Sequence, residues 1–326
     1  MTIRFLLAFV LAFAAPAATS QVVQQMPRIG ALYMGGPTST EGPSGGFERG
    51  MRELGYVPGR NVVIEYRYAE GRPDRLAALA SELVAAKVDA VIAGGPGPLE
   101  ALRLASRKVP IVAVSGSDPV AEGWAASLAR PGGNVTGLQV TYPELSAKRL
   151  ELLKEMLPGL VRVAMLIAGF ELPDGGASAI RSMEEAARRT GIQLQVIPVG
   201  SAADIERAMR AAAAARAQAI FTQDTAFLVV NRALVTGLAA RQGVPVSSEF
   251  SAFGVEGVLM TYGADLNDLL RRAATYVDRV LKGARAGELP IERPDKLDLT
   301  INLKVARALG VAVPQSLLLR AARVVE

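Results

Sequence analysis

Residues 109–137 read VPIVAVSGSDPVAEGWAASLARPGGNVTG, and their order decides the fold. Pro110-Ile111-Val112-Ala113-Val114 is a short unbroken apolar run, the pattern of a strand buried on both faces. It gives way at once to Ser115-Gly116-Ser117-Asp118-Pro119, all of them turn formers. In an open parallel α/β sheet, ligands occupy the crevice beyond the carboxyl ends of the strands, so a polar break directly after an apolar strand marks a candidate site. Farther on, Arg130-Pro131-Gly132-Gly133-Asn134 sets several turn residues before a new strand. This segment is expected to carry the chain across to a second lobe.

The same alternation of strand and helix extends in both directions. Upstream, strands are expected at 28–34, 61–68 and 88–93, with helices at 44–54 (stopped by Gly55), from Pro73 through Leu76, Leu79, Ala80 and Leu83, and at 99–107. Downstream, helices at 145–157, 177–190, 203–216 and 227–242 alternate with strands at 161–168, 193–199, 219–222 and 244–248. A strand at 257–263, a helix at 266–282 and a strand at 297–301 follow, as fragments that complete lobes already begun. A chain of 326 residues exceeds what one core supports. The expected fold is therefore α/β, with two doubly wound parallel-sheet lobes joined by a multi-strand hinge. Residues 27–136 and 262–290 are assigned to lobe one, and 137–261 and 291–326 to lobe two.

Composition sets the chemistry. Arg4, the apolar run 5–15 and the small residues Ala18-Thr19-Ser20 form a secretory-leader pattern over 1–20, and the run is too short for a membrane span. Export to the periplasm is expected. The chain has no cysteine, which leaves neither disulfides nor a lipoprotein anchor. It has no histidine either, which removes Ser-His-Asp and Cys-His catalysis and the usual zinc sites. The formal charge of +5 is spread singly along helices at Arg49, Arg52, Arg103, Arg107, Arg207 and Arg210, without the aromatic-interleaved patch of a nucleic-acid binder. No enzymatic activity, no cofactor and no nucleic-acid partner are expected. The sharpest catalytic alternative, a glycosidase-like carboxylate pair of Asp224 and Glu249, has no acid signature to support it.

Several stretches together carry a family resemblance. Gly50-Met51-Arg52-Glu53-Leu54-Gly55-Tyr56, Gly59-Arg60-Asn61-Val62 and Glu65-Tyr66-Arg67-Tyr68-Ala69-Glu70-Gly71 open it. Asp118-Pro119-Val120, residues 127–137, Lys148-Arg149-Leu150-Glu151-Leu152-Leu153-Lys154, Tyr262-Gly263-Ala264-Asp265-Leu266, Arg271-Arg272-Ala273-Ala274 and Ile301-Asn302-Leu303-Lys304 continue it. The chain resembles the ABC-transporter substrate-binding proteins of the tryptophan/tyrosine type. That resemblance implies a type I periplasmic-binding fold with three interlobe crossings and a role in import, a small-molecule ligand such as an amino acid or aromatic acid, and an inner-membrane ABC permease as partner, with the receptor a monomer. One departure stands out. Where family members commonly carry Asn-Pro after the first strand of lobe two, this chain reads Ile167-Ala168-Gly169-Phe170-Glu171-Leu172-Pro173-Asp174, so that wall is expected to be remodelled.

The candidate ligand residues lie at strand exits. Gly36, Thr38 and Gly95 offer backbone amides, since the glycine-rich exits lack the lysine and hydroxyl of a phosphate loop. Ser115 and Ser117 offer hydroxyls, and Asp118 reads more as a turn-setter before Pro119. Phe170 and Tyr262 are candidate stacking surfaces, and Asp224 and Glu249 follow lobe-two strands, each with a helix cap as its plainer role. In related receptors the corresponding segment carries an aspartate, and the resemblance implies that Asp224 faces the ligand; if that ligand is an amino acid, Asp224 pairs with its ammonium while Ser115 and the Gly95 backbone take the carboxylate. The rival output to transport is ligand sensing through a membrane sensor kinase.

Overall fold

A computed structural model describes residues 26–37, 43–116, 118–140, 143–172, 176–223, 225–249 and 257–326. The expected leader therefore lies outside the described residues, as do Thr38, Ser117 and Asp224.

Five strands form the first sheet: β1 (Arg28–Tyr33), β2 (Val63–Tyr68), β3 (Ala90–Gly94), β4 (Ile111–Ser115) and β5 (Val135–Gln139), in the order β2-β1-β3-β4-β5. All its pairings are parallel. Successive side chains of a strand point to opposite faces, and here both faces are covered. Ile29, Ala31 and Tyr33 of β1, with Ala90 and Ile92 of β3, enter one apolar cluster, while Leu32, Val91 and Ala93 enter another. This is why the strands read as continuous apolar runs. Helices α1 (Pro43–Glu53), α2 (Leu76–Ala85) and α3 (Pro96–Ala105) connect them.

Seven strands form the second sheet, in the order β12-β11-β10-β9-β8-β6-β7: β6 (Arg162–Ile167), β7 (Gln193–Pro198), β8 (Ala219–Thr222), β9 (Val246–Ser248), β10 (Met260–Gly263), β11 (Asp298–Asn302) and β12 (Arg323–Val325). Its helices are α4 (Pro143–Met156), α5 (Ala177–Thr190), α6 (Ala202–Ala214), α7 (Ala226–Val230) and α8 (Arg232–Arg241), with α10 (Leu303–Ala308) and α11 (Gln315–Arg320) near the end of the chain. The sheet is parallel except where β11 runs antiparallel to β10.

Helix α9 (Leu266–Leu281) follows β10 of the second sheet yet packs on the first. Its Leu269, Leu270, Ala273, Ala274 and Val277 join the cluster of Phe47 and Met51 on α1. Close approach of the two helices rests on Gly46 and Gly50, one turn apart on α1: a Cβ at Gly46 would overlap the Asn267 carbonyl oxygen, and one at Gly50 the Arg271 carbonyl oxygen. The chain thus passes between the sheets after β5, after β10 and before β11. The third passage is fastened to β5 for most of its length: Thr136 Oγ1 donates to the Leu289 carbonyl at 2.8 Å, Glu292 N donates to the Gly137 carbonyl at 3.0 Å, and Gln139 N donates to the Glu292 carbonyl at 2.9 Å.

Four expectations are corrected. Arg130-Pro131-Gly132-Gly133-Asn134 does not leave the lobe, because β5 directly after it pairs with β4 in register Ser115↔Gln139, so β5 straddles the expected 136/137 division. Helix α3 begins at Pro96 rather than 99, since proline is well placed in a first helical turn. The helix expected over 227–242 is two, α7 and α8, meeting at Asn231. The final strand β12 and helix α11 were not expected, and β11 departs from the all-parallel pattern. No helix among the described residues is long and apolar enough to cross a membrane.

Candidate ligand-binding cleft

The carboxyl ends of the two sheets approach each other where α3 leaves β3 and the chain leaves β6. A Cβ built on Gly97, in the first turn of α3, would lie 3.4 Å from the Glu171 carbonyl oxygen and 3.1 Å from both Leu76 Cδ1 and Met34 Cε. Open α/β sheets take ligands outside the carboxyl ends of their strands, which makes the surroundings of this contact the candidate site.

On the first-sheet side, Gly36 is half-buried at the exit of β1. Gly95 has φ 107°, a backbone region open to glycine, but its N–H donates to the Val114 carbonyl at 2.9 Å. The amide expected for a ligand is therefore already engaged. Pro96 and Pro98 have no N–H, which leaves Gly97 as the first residue of α3 with an amide to offer. Ser115 is buried as the last residue of β4, and its carbonyl accepts from Val140 N at 2.8 Å. Asp118 sets a turn, as its neighbour Pro119 suggested: Oδ1 accepts from Val120 N and Ala121 N, both at 3.0 Å. Gln139, at the end of β5, accepts from Arg293 Nε at 3.2 Å, so an arginine of the third passage reaches the same edge.

On the second-sheet side, Phe170 is 43% exposed and meets Phe227 edge-on, with ring centroids 5.5 Å apart. It retains an open aromatic surface. Beside it, Glu171 is buried and accepts from Phe227 N through both oxygens, at 3.1 and 3.0 Å. Burial pushes its carboxyl pKa above the usual range, and the Phe227 amide and Thr225 hydroxyl offset only part of that shift. Tyr262 is half-buried and packs against the apolar cluster of the second sheet.

Glu249 is buried in an ion pair. Its Oε1 accepts from Arg149 Nη1 at 2.7 Å and its Oε2 from Gln223 Nε2 at 3.0 Å, with side-chain exposures of 1% for Arg149 and 3% for Glu249. Arg149 Nε also donates to the Tyr262 carbonyl at 2.8 Å, while Nη2 is buried without a partner. The guanidinium thus lies across the ends of β8, β9 and β10. A glycosidase-like role for Glu249 is incompatible with this pairing, since its two oxygens are held by Arg149 and Gln223 in a dry site. Arg149, Gln223, Glu171 and Gln139 were not among the sequence candidates. For Arg149 a signal existed: on α4 it falls in register with Leu145, Leu152, Leu153 and Met156, and a charge on an apolar helical stripe requires a buried partner. Glu171 carries no comparable signal.

Known proteins agree with this architecture. A tyrosine-binding protein of Clostridioides difficile (strain R20291) is 24% identical over 267 residues, covering 82% of this chain and 76% of its own. Among solved structures, a conserved domain protein of Vibrio cholerae superposes with a TM-score of 0.85 at 24% identity, covering 92% of this chain and 100% of its own. The ABC domain of a Streptococcus pneumonia protein in complex with L-Trp gives 0.82 at 24% identity, covering 91% and 100%. These likenesses establish the two-lobe α/β fold. The family model for ABC transporter substrate binding proteins matches residues 36–325, nearly the whole chain, and the protein belongs to that family of binding proteins.

Proposed function

We propose that the cleft captures a small amino acid or aromatic acid between the two lobes and that the closed receptor delivers it to an inner-membrane ABC permease. The observation that carries this reading is the opposition of two polar strand-end edges at the Gly97–Glu171 contact, with the open Phe170 ring beside it. The aromatic surface suits an aromatic side chain, and the amide and guanidinium groups of Gln139, Arg293 and Gln223 suit the polar end of an amino acid. The tyrosine-binding relative and the L-Trp complex support the same ligand class. The passages after β5 and β10 and before β11 serve as the hinge. Residues 1–20 act as the export leader.

Thermal unfolding in the presence of L-tyrosine, L-tryptophan, their deaminated acids and a panel of non-aromatic amino acids tests the reading. A ligand at a hundred times its dissociation constant adds about 2.7 kcal/mol of stability. A raised midpoint with the aromatic amino acids is expected. A flat response across them, with a shift from another compound class, overturns it.

A further inference from the structure

We propose that Gln223 is a specificity-determining residue whose side-chain oxygen accepts a hydrogen bond from the amine of the ligand, and that Glu249 and Arg149 are positioning residues that fix this orientation. The inference rests on the amino-acid reading above and deepens it. The backbone of Gln223 is held on both sides: its N–H donates to the Leu166 carbonyl at 3.1 Å and its carbonyl accepts from Thr225 N at 2.9 Å. The side chain starts from the carboxyl end of β8, between the ends of β6 and β9, so it belongs to the cleft edge of the second sheet.

A glutamine amide has two faces, a donor and an acceptor, and its neighbours decide which one a ligand meets. Glu249 makes that decision here. Its carboxylate, paired with Arg149 Nη1 at 2.7 Å, can only accept, so the NH2 group of Gln223 turns to Glu249 Oε2 at 3.0 Å. A flipped amide would set oxygen against oxygen. The Gln223 oxygen then has no partner among the described residues, and the residue is only half-buried at this strand end. An acceptor presented there selects a ligand with a hydrogen-bond donor, an ammonium group above all, and discriminates against the same molecule without it, because the donor-lacking analogue leaves the oxygen desolvated and unpaired.

The experiment compares L-tyrosine with 3-(4-hydroxyphenyl)propionate, and L-tryptophan with 3-(indol-3-yl)propionate, by titration calorimetry on the wild type, Gln223→Leu and Glu249→Gln. The wild type is expected to prefer each amino acid to its deaminated acid. Gln223→Leu should lose at least tenfold affinity for the amino acid and stay within about twofold of wild type for the deaminated acid. Glu249→Gln should invert the preference, since the new amide turns its NH2 toward Gln223, which must then present its own NH2 to the ligand. A purely structural link between β8 and β9 would weaken both ligands of each pair alike in Gln223→Leu, and that result, or equal binding by wild type and Gln223→Leu, overturns the proposal. Gln223→Leu removes no charge and decides alone if Glu249→Gln does not fold. Failure of the wild type to bind either amino acid is a separate result, which removes the amino-acid reading on which the proposal stands.

Discussion

The two sheets begin with the same strand-helix grammar and are finished by different means. The first sheet takes back a helix: α9 returns from the second and lies on α1 at the near-contact permitted by Gly46 and Gly50. The second sheet takes back strands, β11 and β12, which extend it beyond β10. Their polar anchoring differs as well. The first carries its ion pairs at its surface, whereas the second holds Arg149–Glu249, the one ion pair among the described residues with both side chains almost wholly shielded from water. Surface pairs contribute little, and a buried pair makes each partner dependent on the other. The first lobe therefore depends on helix contact and the second on an electrostatic contact at the root of a passage.

Four variants probe this contrast, and the single substitutions are taken in descending order of effect. Arg149→Ala should cost about 3–5 kcal/mol in chemical denaturation, since it strands Glu249 in a dry site. The double replacement Arg149→Met with Glu249→Leu should recover most of that loss, and if it does not, the second sheet is not held by the pair's mutual dependence. Gly50→Ala should cost about 1–3 kcal/mol, because the new methyl group must push α9 away from α1. An unchanged denaturation midpoint would show that the first lobe tolerates a wider helix spacing than its packing indicates. The smallest effect concerns Glu171 and depends on pH. Because burial raises its folded pKa above the unfolded carboxyl value, the folded state binds more protons between those two values, so stability falls as pH rises through that window and stays at the lower level above it. Glu171→Gln does not titrate and should unfold at a higher temperature than wild type at neutral pH, with the advantage shrinking as pH falls through that window and no longer changing below about 4.3. An advantage that stays constant across the pH series would exclude a buried carboxylate as its source.

Much of this architecture is legible in the sequence because parallel strands buried on both faces are written as apolar runs: β1, β3, β4, β6 and β8 lie within or beside the stretches expected from periodicity. The first passage was misplaced at Arg130–Asn134 because a turn-rich segment looks the same whether it leads to the same sheet or to another; only the pairing of β5 with β4 distinguishes them. Site residues were harder to read. Glycines at strand exits announce a turn, but only the hydrogen bond from Gly95 N to Val114 shows that this amide is engaged. Glu249 was legible as a polar residue after a strand and Arg149 as a charge on an apolar helical stripe, while their pairing across a hundred residues depends on tertiary packing that no local pattern encodes.

The fastening of the third passage has a mechanical consequence. Backbone hydrogen bonds hold it to β5 as far as Glu292, and β11 starts at Asp298, so the tether between them is 293–297, restrained only through side chains, by Arg293 Nε on Gln139 at 3.2 Å and Arg272 on Asp295 at 3.1 Å. Such a link spans at most about 18 Å when fully drawn out, and Pro294 has its φ already fixed. If the second lobe swings, this tether gives it a short leash anchored in the frame of the first, so the arc of travel is set by slack in 293–297 and not by the whole connection after α9.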